Sequence, residues 1–205
     1  MTGQGADLQT DVLIIGSGPA GASAALFLAT YGIEHQVITK YNWTADTPRA
    51  HITNQRTIEI MRDMGIEQDV LAKATPHELM GDTVFCTSIA GEEIGRILTW
   101  GTHPARHADY VLASPSLNCD IPQTLFEPIL IDHAAKRGSR IRFDTEYLSL
   151  QQDDEGVTVQ VRDRRSGREY AIRAKYVIAA DGARSKVVAD IGLPMAGRME
   201  LAGSM

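Results

Sequence analysis

The sequence predicts an α/β domain in which a parallel sheet carries a nucleotide-binding loop and an inserted antiparallel β-meander. Two observations lead to this prediction. A glycine-rich loop at 16–21 lies between a short apolar run and a stretch of small, helix-forming residues. Further along, strand-length segments at 140–173 are separated by Asp-Glu-Gly and Arg-Ser-Gly turns. Strands that alternate with helices favour a parallel sheet, and short strands with tight turns favour an antiparallel meander.

The first elements form a β-α-β unit. Asp11–Ile15 is an apolar run typical of a buried parallel strand. Pro19–Thr30 predicts a helix, and Gly32 stands just past its end as a stop signal. Gln36–Thr39 then predicts the second strand.

The middle of the chain predicts a loop, a helix and a hairpin. Residues 41–53 are loop-like, and Asn54 is a good N-cap for a helix over Gln55–Met64. Thr83–Ile89 and Glu93–Thr99 predict two strands joined by a turn.

The second half predicts a loop, a helix and the meander. Gly101–Ser116 is rich in His, Pro and Ser, which predicts a long surface loop. Pro122 suits the first turn of a helix that runs to about Lys136. The meander strands are expected at Arg140–Asp144, Glu146–Gln152, Val157–Arg162 and Glu169–Arg173, and a separate buried strand at Tyr176–Ala180.

Composition narrows the class of protein. The 205 residues have a formal net charge of −6, which disfavours a general nucleic-acid binder, and no apolar run is long enough for a membrane span. Cys86 and Cys119 lack metal-ligand spacing, which is typical of a reduced, cytoplasmic setting. We expect a disordered N-terminus over 1–9, one domain over 10–195 and a tail over 196–205.

The glycine loop indicates a dinucleotide site. Gly16, Gly18 and Gly21 form G-x-G-x-x-G directly after a strand and at the start of a helix, with Pro19 and Ala20 between the last two. The first glycine permits a tight turn, the second lets the backbone approach a pyrophosphate, and the third permits close helix–strand packing. The helix N-terminus supplies N–H groups and partial positive charge for the phosphates.

The end of the second strand departs from the usual dinucleotide pattern. The position that usually carries an acidic residue for the ribose hydroxyls holds Thr39, followed by Lys40. Thr39 can still hydrogen-bond a ribose, and Lys40 can meet a phosphate or remain a solvated loop lysine. The absence of an acidic residue at this position counts more strongly against an NAD-dependent dehydrogenase than against an FAD-binding protein.

A second motif adds specificity. Asp181-Gly182-Ala183-Arg184-Ser185 follows the apolar run 176–180. With the glycine loop, it resembles the single-component FAD-dependent aromatic hydroxylases (class A flavoprotein monooxygenases). In that family the Asp lies near the FAD pyrophosphate, and the segment also serves NAD(P)H. The resemblance implies a Rossmann-like FAD-binding sheet of GR2 type, with Asp181 as a cofactor-binding residue. The family's closing arginine is replaced here by Val188, so that position is given no nicotinamide role.

Two further segments extend the resemblance over most of residues 10–195. Pro48-Arg49-Ala50 resembles the second flavin-contacting segment, which implies that Arg49 approaches FAD. Pro122-Gln123, with Glu127 one turn later, resembles the helix whose glutamine lies beside the flavin. The runs at 41–57 and 96–102 are similar to the chlorophenol branch, the 2,4-dichlorophenol 6-monooxygenases.

Three histidines invite a chemical role. The resemblance implies that His51 lies where phenol hydroxylases place a polar group near the flavin, and an imidazole there could accept the phenolic proton. A loop histidine that bonds the backbone is the alternative interpretation. His103 and His107 are four residues apart, but Pro104 disfavours a helix and no third ligand is apparent, so no metal is expected.

The resemblance implies ortho-hydroxylation of a small phenolic substrate, with FAD as cofactor, NAD(P)H as reductant and O₂ as oxidant. It also implies further segments after residue 205, which in the family build the substrate sheet and a Gly-Asp FAD motif. We therefore expect an incomplete sheet, an exposed apolar surface where the missing strand and the substrate domain belong, and a chain that is not catalytically competent alone. The expected partner is the missing C-terminal half or a second copy in a homo-oligomer. Three alternatives stay open: a non-catalytic nucleotide-binding fragment, a relative that acts on another aromatic, polyketide or geranylgeranyl substrate, and an NAD-dependent dehydrogenase.

Overall fold

The computed structural model describes residues 6–194, 196 and 197. The described strands are β1 (Leu8–Ile15), β2 (His35–Ile38), β3 (Ile52–Thr53), β4 (Thr83–Cys86), β5 (Glu93–Ile97), β6 (Cys119–Asp120), β7 (Arg140–Arg142), β8 (Thr145–Asp153), β9 (Gly156–Asp163) and β10 (Glu169–Ala179). The described helices are α1 (Pro19–Thr30), α2 (Gln55–Asp63), α3 (Glu67–Leu71), α4 (Pro104–Ala113), α5 (Gln123–Lys136) and α6 (Lys186–Asp190). The predicted β1–α1–β2 unit and the helices after Asn54 and Pro122 are confirmed.

One six-stranded sheet has the order β7-β2-β1-β10-β9-β8. Strands β7, β2, β1 and β10 are mutually parallel, and β9 and β8 continue the sheet in antiparallel fashion. The prediction of separate strands at Glu169–Arg173 and Tyr176–Ala180 is wrong, because β10 runs unbroken through both. Its Ile172 pairs with Leu8 on one side and Val159 on the other, so the meander extends the parallel sheet directly.

The strand at Arg140 also differs from the prediction. Arg140–Asp144 was expected in the antiparallel meander, but β7 lies at the opposite edge of the sheet, parallel to β2. The chain passes through α5 immediately before β7, and a helical crossover returns a strand in the parallel direction.

The sheet buries both of its faces. Side chains alternate across β1, so Val12 and Ile14 contribute to the core on the α1 and α5 side, whereas Leu13 and Ile15 contribute to the core on the other side. A strand that is covered on both faces buries all of its side chains, so its consecutive residues are apolar. This explains the apolar run that predicted a buried parallel strand.

The expected surface loop at Gly101–Ser116 is wrong, because ten of its residues form α4. The ring of His103 accepts a hydrogen bond from the N–H of Ala105 at 3.2 Å and caps the helix. Pro104 occupies the first helical turn, where its missing N–H has no intrahelical partner to lose. Proline here starts the helix rather than preventing it.

The N-terminal boundary needs a correction too. We expected disorder over 1–9, but β1 begins at Leu8, and the Asp7 carboxylate accepts a hydrogen bond from Ala171 N at 3.0 Å. The long β10 gives these residues a partner that the sequence alone did not reveal. The rest of that segment, residues 1–5, lies outside the described residues, as do Met195 and 198–205 of the domain end and expected tail.

The hairpin β4–β5 forms its own two-stranded sheet. Its apolar side chains are largely exposed: Val84, Phe85, Ile89, Ile94 and Ile97. Among the residues the structure describes, no helix has the length and hydropathy to span a bilayer.

Candidate cofactor site

The glycine loop lies at the carboxyl end of β1, where three backbone segments converge. Gly16 has φ +109°, and a Cβ there would lie 2.2 Å from the carbonyl oxygen of Ala180. A Cβ on Gly21 would lie 1.9 Å from the carbonyl oxygen of Gly16. No side chain fits at either position, so these glycines set how closely α1 approaches β1 and β10.

The N-terminus of α1 offers free donors at the same place. Gly18 is the N-cap residue and provides no capping side chain, Pro19 follows it, and the first turn contains no acidic residue. Pro19 and Ala20 are exposed. Uncapped N–H groups and the positive end of the helix dipole make this end of α1 a site for an anion, although the first Lys or Arg of the chain is Lys40.

The end of β2 places Thr39 and Lys40 beside the loop. The N–H of Gly16 donates to the carbonyl of Ile38 at 2.8 Å, which joins the two strand ends. Thr39 is buried, and its backbone N–H donates to the carbonyl oxygen of Arg142. Its side-chain hydroxyl makes no hydrogen bond to any residue that the structure describes. Lys40 is exposed, with its ammonium 5.4 Å from the centre of the Tyr41 ring.

Asp181 follows β10 and lies next to Gly16, since a Cβ at Gly16 would be 3.1 Å from its backbone nitrogen. Its carboxylate accepts hydrogen bonds from the Ser185 hydroxyl at 2.6 Å and the Lys186 N–H at 2.8 Å. A further bond from the Val187 N–H, at 3.3 Å, completes the set. The side chain therefore holds the start of α6, a role the motif did not reveal.

The segment that carries Arg49 and His51 is fastened to the start of α5. The N–H of Gln123 donates to Ala50 at 3.2 Å, and the N–H of Ile121 donates to His51 at 2.7 Å. Arg49 itself is exposed. The structure thus brings Arg49, His51 and Gln123 to one place from positions about seventy residues apart in sequence.

His51 has a partner that sequence reasoning missed. Its Nδ1 lies 2.7 Å from a carboxylate oxygen of Asp120, and the His51 side chain is 59% exposed. A carboxylate only accepts, so Nδ1 carries the proton, which leaves Nε2 as a free acceptor when the ring is neutral. The bond joins residues 69 positions apart, and nothing in the local sequence marks it.

Glu127 is a second residue whose position the sequence did not explain. Its side chain is buried on α5, where it accepts hydrogen bonds from Ala45 N at 2.7 Å and from the Gln123 amide at 2.5 Å. A Cβ on Gly18 would lie 3.8 Å from the same carboxyl group. The sequence signal that could have identified Glu127 is a charged residue on an otherwise apolar face of the predicted helix.

The two histidines that suggested a metal site have structural partners. His103 caps α4, and His107 Nδ1 lies 2.9 Å from the Gly101 carbonyl oxygen. Over the described part of the chain, no group of three or more His, Cys, Asp or Glu side chains is arranged to hold a metal ion.

Comparison with known proteins agrees with this geometry. The family described as "FAD binding domain" matches residues 9–205. The chain is 69% identical over 185 residues to phenol 2-monooxygenase of Pseudomonas sp. (strain EST1001), covering 90% of this chain and 30% of that protein. It is 59% identical over 198 residues to 2,4-dichlorophenol 6-monooxygenase of Delftia acidovorans, covering 97% and 34%.

A solved structure shows the same fold. The crystal structure of the flavin-dependent monooxygenase PieE, in complex with FAD and substrate, superposes with a TM-score of 0.92 at 46% identity, over 96% of this chain and 34% of that one. The chain therefore spans about a third of the length of the relatives it matches. The comparisons confirm the resemblance drawn from the two motifs, and the chain belongs to the FAD binding domain family of flavoprotein monooxygenases.

Proposed function

We propose that this chain binds FAD and forms the cofactor-binding part of an NAD(P)H-dependent enzyme that hydroxylates a small phenol with O₂. The observation that supports the proposal most is the glycine cradle. Gly16 and Gly21 exclude side chains, and the uncapped start of α1 presents N–H groups beside them. This arrangement fits a pyrophosphate, which is the shared feature of dinucleotide cofactors.

The other predicted residues have proposed roles around that anchor. The N–H groups after Gly18 would bind the pyrophosphate, with Pro19 and Ala20 in the first turn of α1. Thr39 would offer its hydroxyl to the ribose, and Lys40 would place a positive charge near the cofactor's outer end.

Three residues on other elements complete the proposed site. Arg49 and Gln123 would contact FAD from the segment that is fastened to α5. Asp181 would act by holding α6 and the turn after β10 in place, because its carboxylate is already hydrogen-bonded within the chain.

His51 is the proposed base. With Nδ1 directed at Asp120, its free Nε2 could take the proton of a phenolic hydroxyl, and the carboxylate would stabilise the resulting imidazolium. Ionisation matters because a phenolate is a much stronger carbon nucleophile than a phenol. When bound, FAD would carry electrons from NAD(P)H and activate O₂ for transfer to the ring.

The relatives' names support the substrate class, since one acts on phenol and another on 2,4-dichlorophenol. Because the chain spans about a third of these proteins, we assign to it the FAD-binding step and treat the complete hydroxylation as the work of a longer protein. A cytoplasmic setting is part of the proposal, supported by two free thiols and by the need for NAD(P)H.

A ligand titration tests the proposal. The purified 205-residue chain is titrated with FAD, and binding is followed by the change in flavin fluorescence; NAD is titrated as the competitor that a dehydrogenase would prefer. We expect FAD to bind more tightly than NAD. Failure of the chain to bind FAD, or tighter binding of NAD, would refute the proposed FAD site.

The proposed role of His51 and Asp120 is tested in a full-length relative. Oxidation of NAD(P)H with phenol or 2,4-dichlorophenol is measured after these two residues are replaced at the equivalent positions.

A further inference from the structure

Glu127 combines burial with an unusual set of contacts. Its side chain is only 3% exposed, although it lies at the edge of the proposed cofactor site. Within the described residues no Lys, Arg or His forms an ion pair with it. A buried carboxyl without a cation is disfavoured unless hydrogen bonds satisfy it, so its partners must explain why it is there.

The first partner is the side chain of Gln123. A glutamine amide can present either its nitrogen or its oxygen to a neighbour, and the neighbour decides which. A carboxylate only accepts, so Glu127 selects the nitrogen of Gln123 at 2.5 Å. The Gln123 carbonyl oxygen is then directed away from Glu127, and no residue that the structure describes donates a hydrogen bond to it.

The second partner is the backbone of the segment that carries Arg49 and His51. The other carboxyl oxygen of Glu127 accepts from Ala45 N at 2.7 Å. The same segment is bound to the start of α5 through Ala50 and His51. One buried side chain therefore connects this segment and Gln123. It also lies next to the glycine loop, since a Cβ at Gly18 would be 3.8 Å from its carboxyl group.

We infer that Glu127 is a positioning residue for the cofactor: it fixes the orientation of the Gln123 amide, so that the carbonyl oxygen rather than the amino group faces the flavin site. The inference rests on the proposed function, because it takes Gln123 to be a FAD contact. A hydrogen-bond donor of the bound cofactor would meet an acceptor there, whereas the reversed amide would present a second donor.

Glu127→Gln is the decisive variant. A glutamine at 127 keeps the size and can still accept from Ala45 N, but its own NH₂ group then faces Gln123. Two amino groups cannot bond each other, so the Gln123 amide must rotate by about half a turn to present its oxygen. The network stays satisfied and the fold should survive, while the group offered to the cofactor is reversed. Asp132→Asn, on the exposed side of α5 in an ion pair with Lys136, removes the same charge without touching the site.

Two measurements read the result. In the ligand-free chain, ¹⁵N NMR follows the side-chain amide of Gln123, identified by its loss in Gln123→Glu. We expect this amide to exchange slowly in the wild type and in Asp132→Asn, and to shift and exchange faster in Glu127→Gln. In the FAD titration, we expect Glu127→Gln to bind about tenfold more weakly with an altered flavin absorption band, while its thermal midpoint stays close to that of Asp132→Asn.

A swapped chain separates positioning from packing. Glu127→Gln combined with Gln123→Glu restores an acceptor oxygen at 123 and should recover part of the lost affinity. An unchanged Gln123 amide resonance in Glu127→Gln would overturn the inference. So would unchanged FAD affinity and spectrum, or a swapped chain no better than the single variant. If the wild-type chain failed to bind FAD, the proposed function would fall, and the NMR measurement would still decide whether Glu127 orients Gln123.

Discussion

Replacing Gly21 by alanine tests whether the close approach of α1 to the sheet is obligatory. The new Cβ would lie 1.9 Å from the Gly16 carbonyl oxygen, whereas ordinary contacts begin at 3.4 Å, so α1 would have to retreat by about 1.5 Å. Gly16 has little room to yield, because the Ala180 carbonyl oxygen lies against it, 2.2 Å from where a Cβ at Gly16 would be. Both obstacles are backbone atoms, and no change of side-chain rotamer relieves them.

Two opposing free-energy terms set the change in stability of Gly21→Ala. Alanine is favoured over glycine inside a helix by about 1 kcal/mol, which would stabilise the variant. Overpacking costs about 1–3 kcal/mol, and contacts with backbone place Gly21→Ala at or above the upper end. We expect a net loss of about 2 kcal/mol, which lowers the thermal midpoint by about 4–8 °C in a domain of this size.

The assay is thermal unfolding followed by circular dichroism, with Gly81→Ala as the matched control. A Cβ on Gly81 meets nothing within 4 Å, so this change should stay within about 0.5 kcal/mol of the wild type. Gly21→Ala should also weaken FAD binding, because the donors at the start of α1 move with the helix. A midpoint equal to or above that of the wild type would refute the reasoning, because helix propensity alone predicts such a rise.

Three further predictions concern other parts of the fold. Asn54→Ala should lower stability by about 1 kcal/mol in urea unfolding, because the Asn54 side chain caps α2, whereas Asn54→Asp should keep the cap. Burial and the hydrogen bond to Asp190 raise the pKa of Tyr147. The Tyr147 hydroxyl therefore stabilises the fold below about pH 10 and loses that contribution as the pH rises further. The difference in thermal midpoint between the wild type and Tyr147→Phe should shrink above that pH. Burial raises the pKa of the Cys119 thiol to about 11, so a thiol reagent at pH 8 should label exposed Cys86 first and Cys119 only on unfolding; equal rates would contradict this.

The glycine loop could be predicted from the sequence because its constraint is local. The positive φ of Gly16 and the crowding of Gly21 against the Gly16 carbonyl lie within one short loop, and the strand and helix on either side carry their own signals. The contact of Gly16 with Ala180 comes from a distant part of the chain and could not be predicted in this way. The helix after Asn54 was predictable for the same reason, since its cap lies within one turn. Constraints between residues that are close in sequence do not depend on how the distant parts of the chain pack.

The errors in the strand predictions come from contacts between distant residues. Nothing local shows that Ile172 pairs with Leu8, so one long strand was divided into two and the first strand was started too late. The helix at Pro104 was missed for a different reason: proline was interpreted as a breaker at the one helical position that favours it. The Asp120 partner of His51 and the Ala45 partner of Glu127 lie 69 and 82 positions away, beyond any spacing rule.

The arrangement of acidic groups explains how an acidic chain can present a site for an anionic cofactor. With a net charge of −6 and no Lys or Arg before Lys40, the glycine loop and the start of α1 obtain their positive potential from their own backbone N–H groups. Carboxyl groups nearby oppose that potential, and hydrogen bonds donated to their oxygens offset part of their negative charge. Asp181 accepts from the first turn of α6, and Glu127 accepts from Ala45 and Gln123. Each acid is therefore held by donors of the chain itself, and the uncapped start of α1 keeps N–H groups available for an added phosphate.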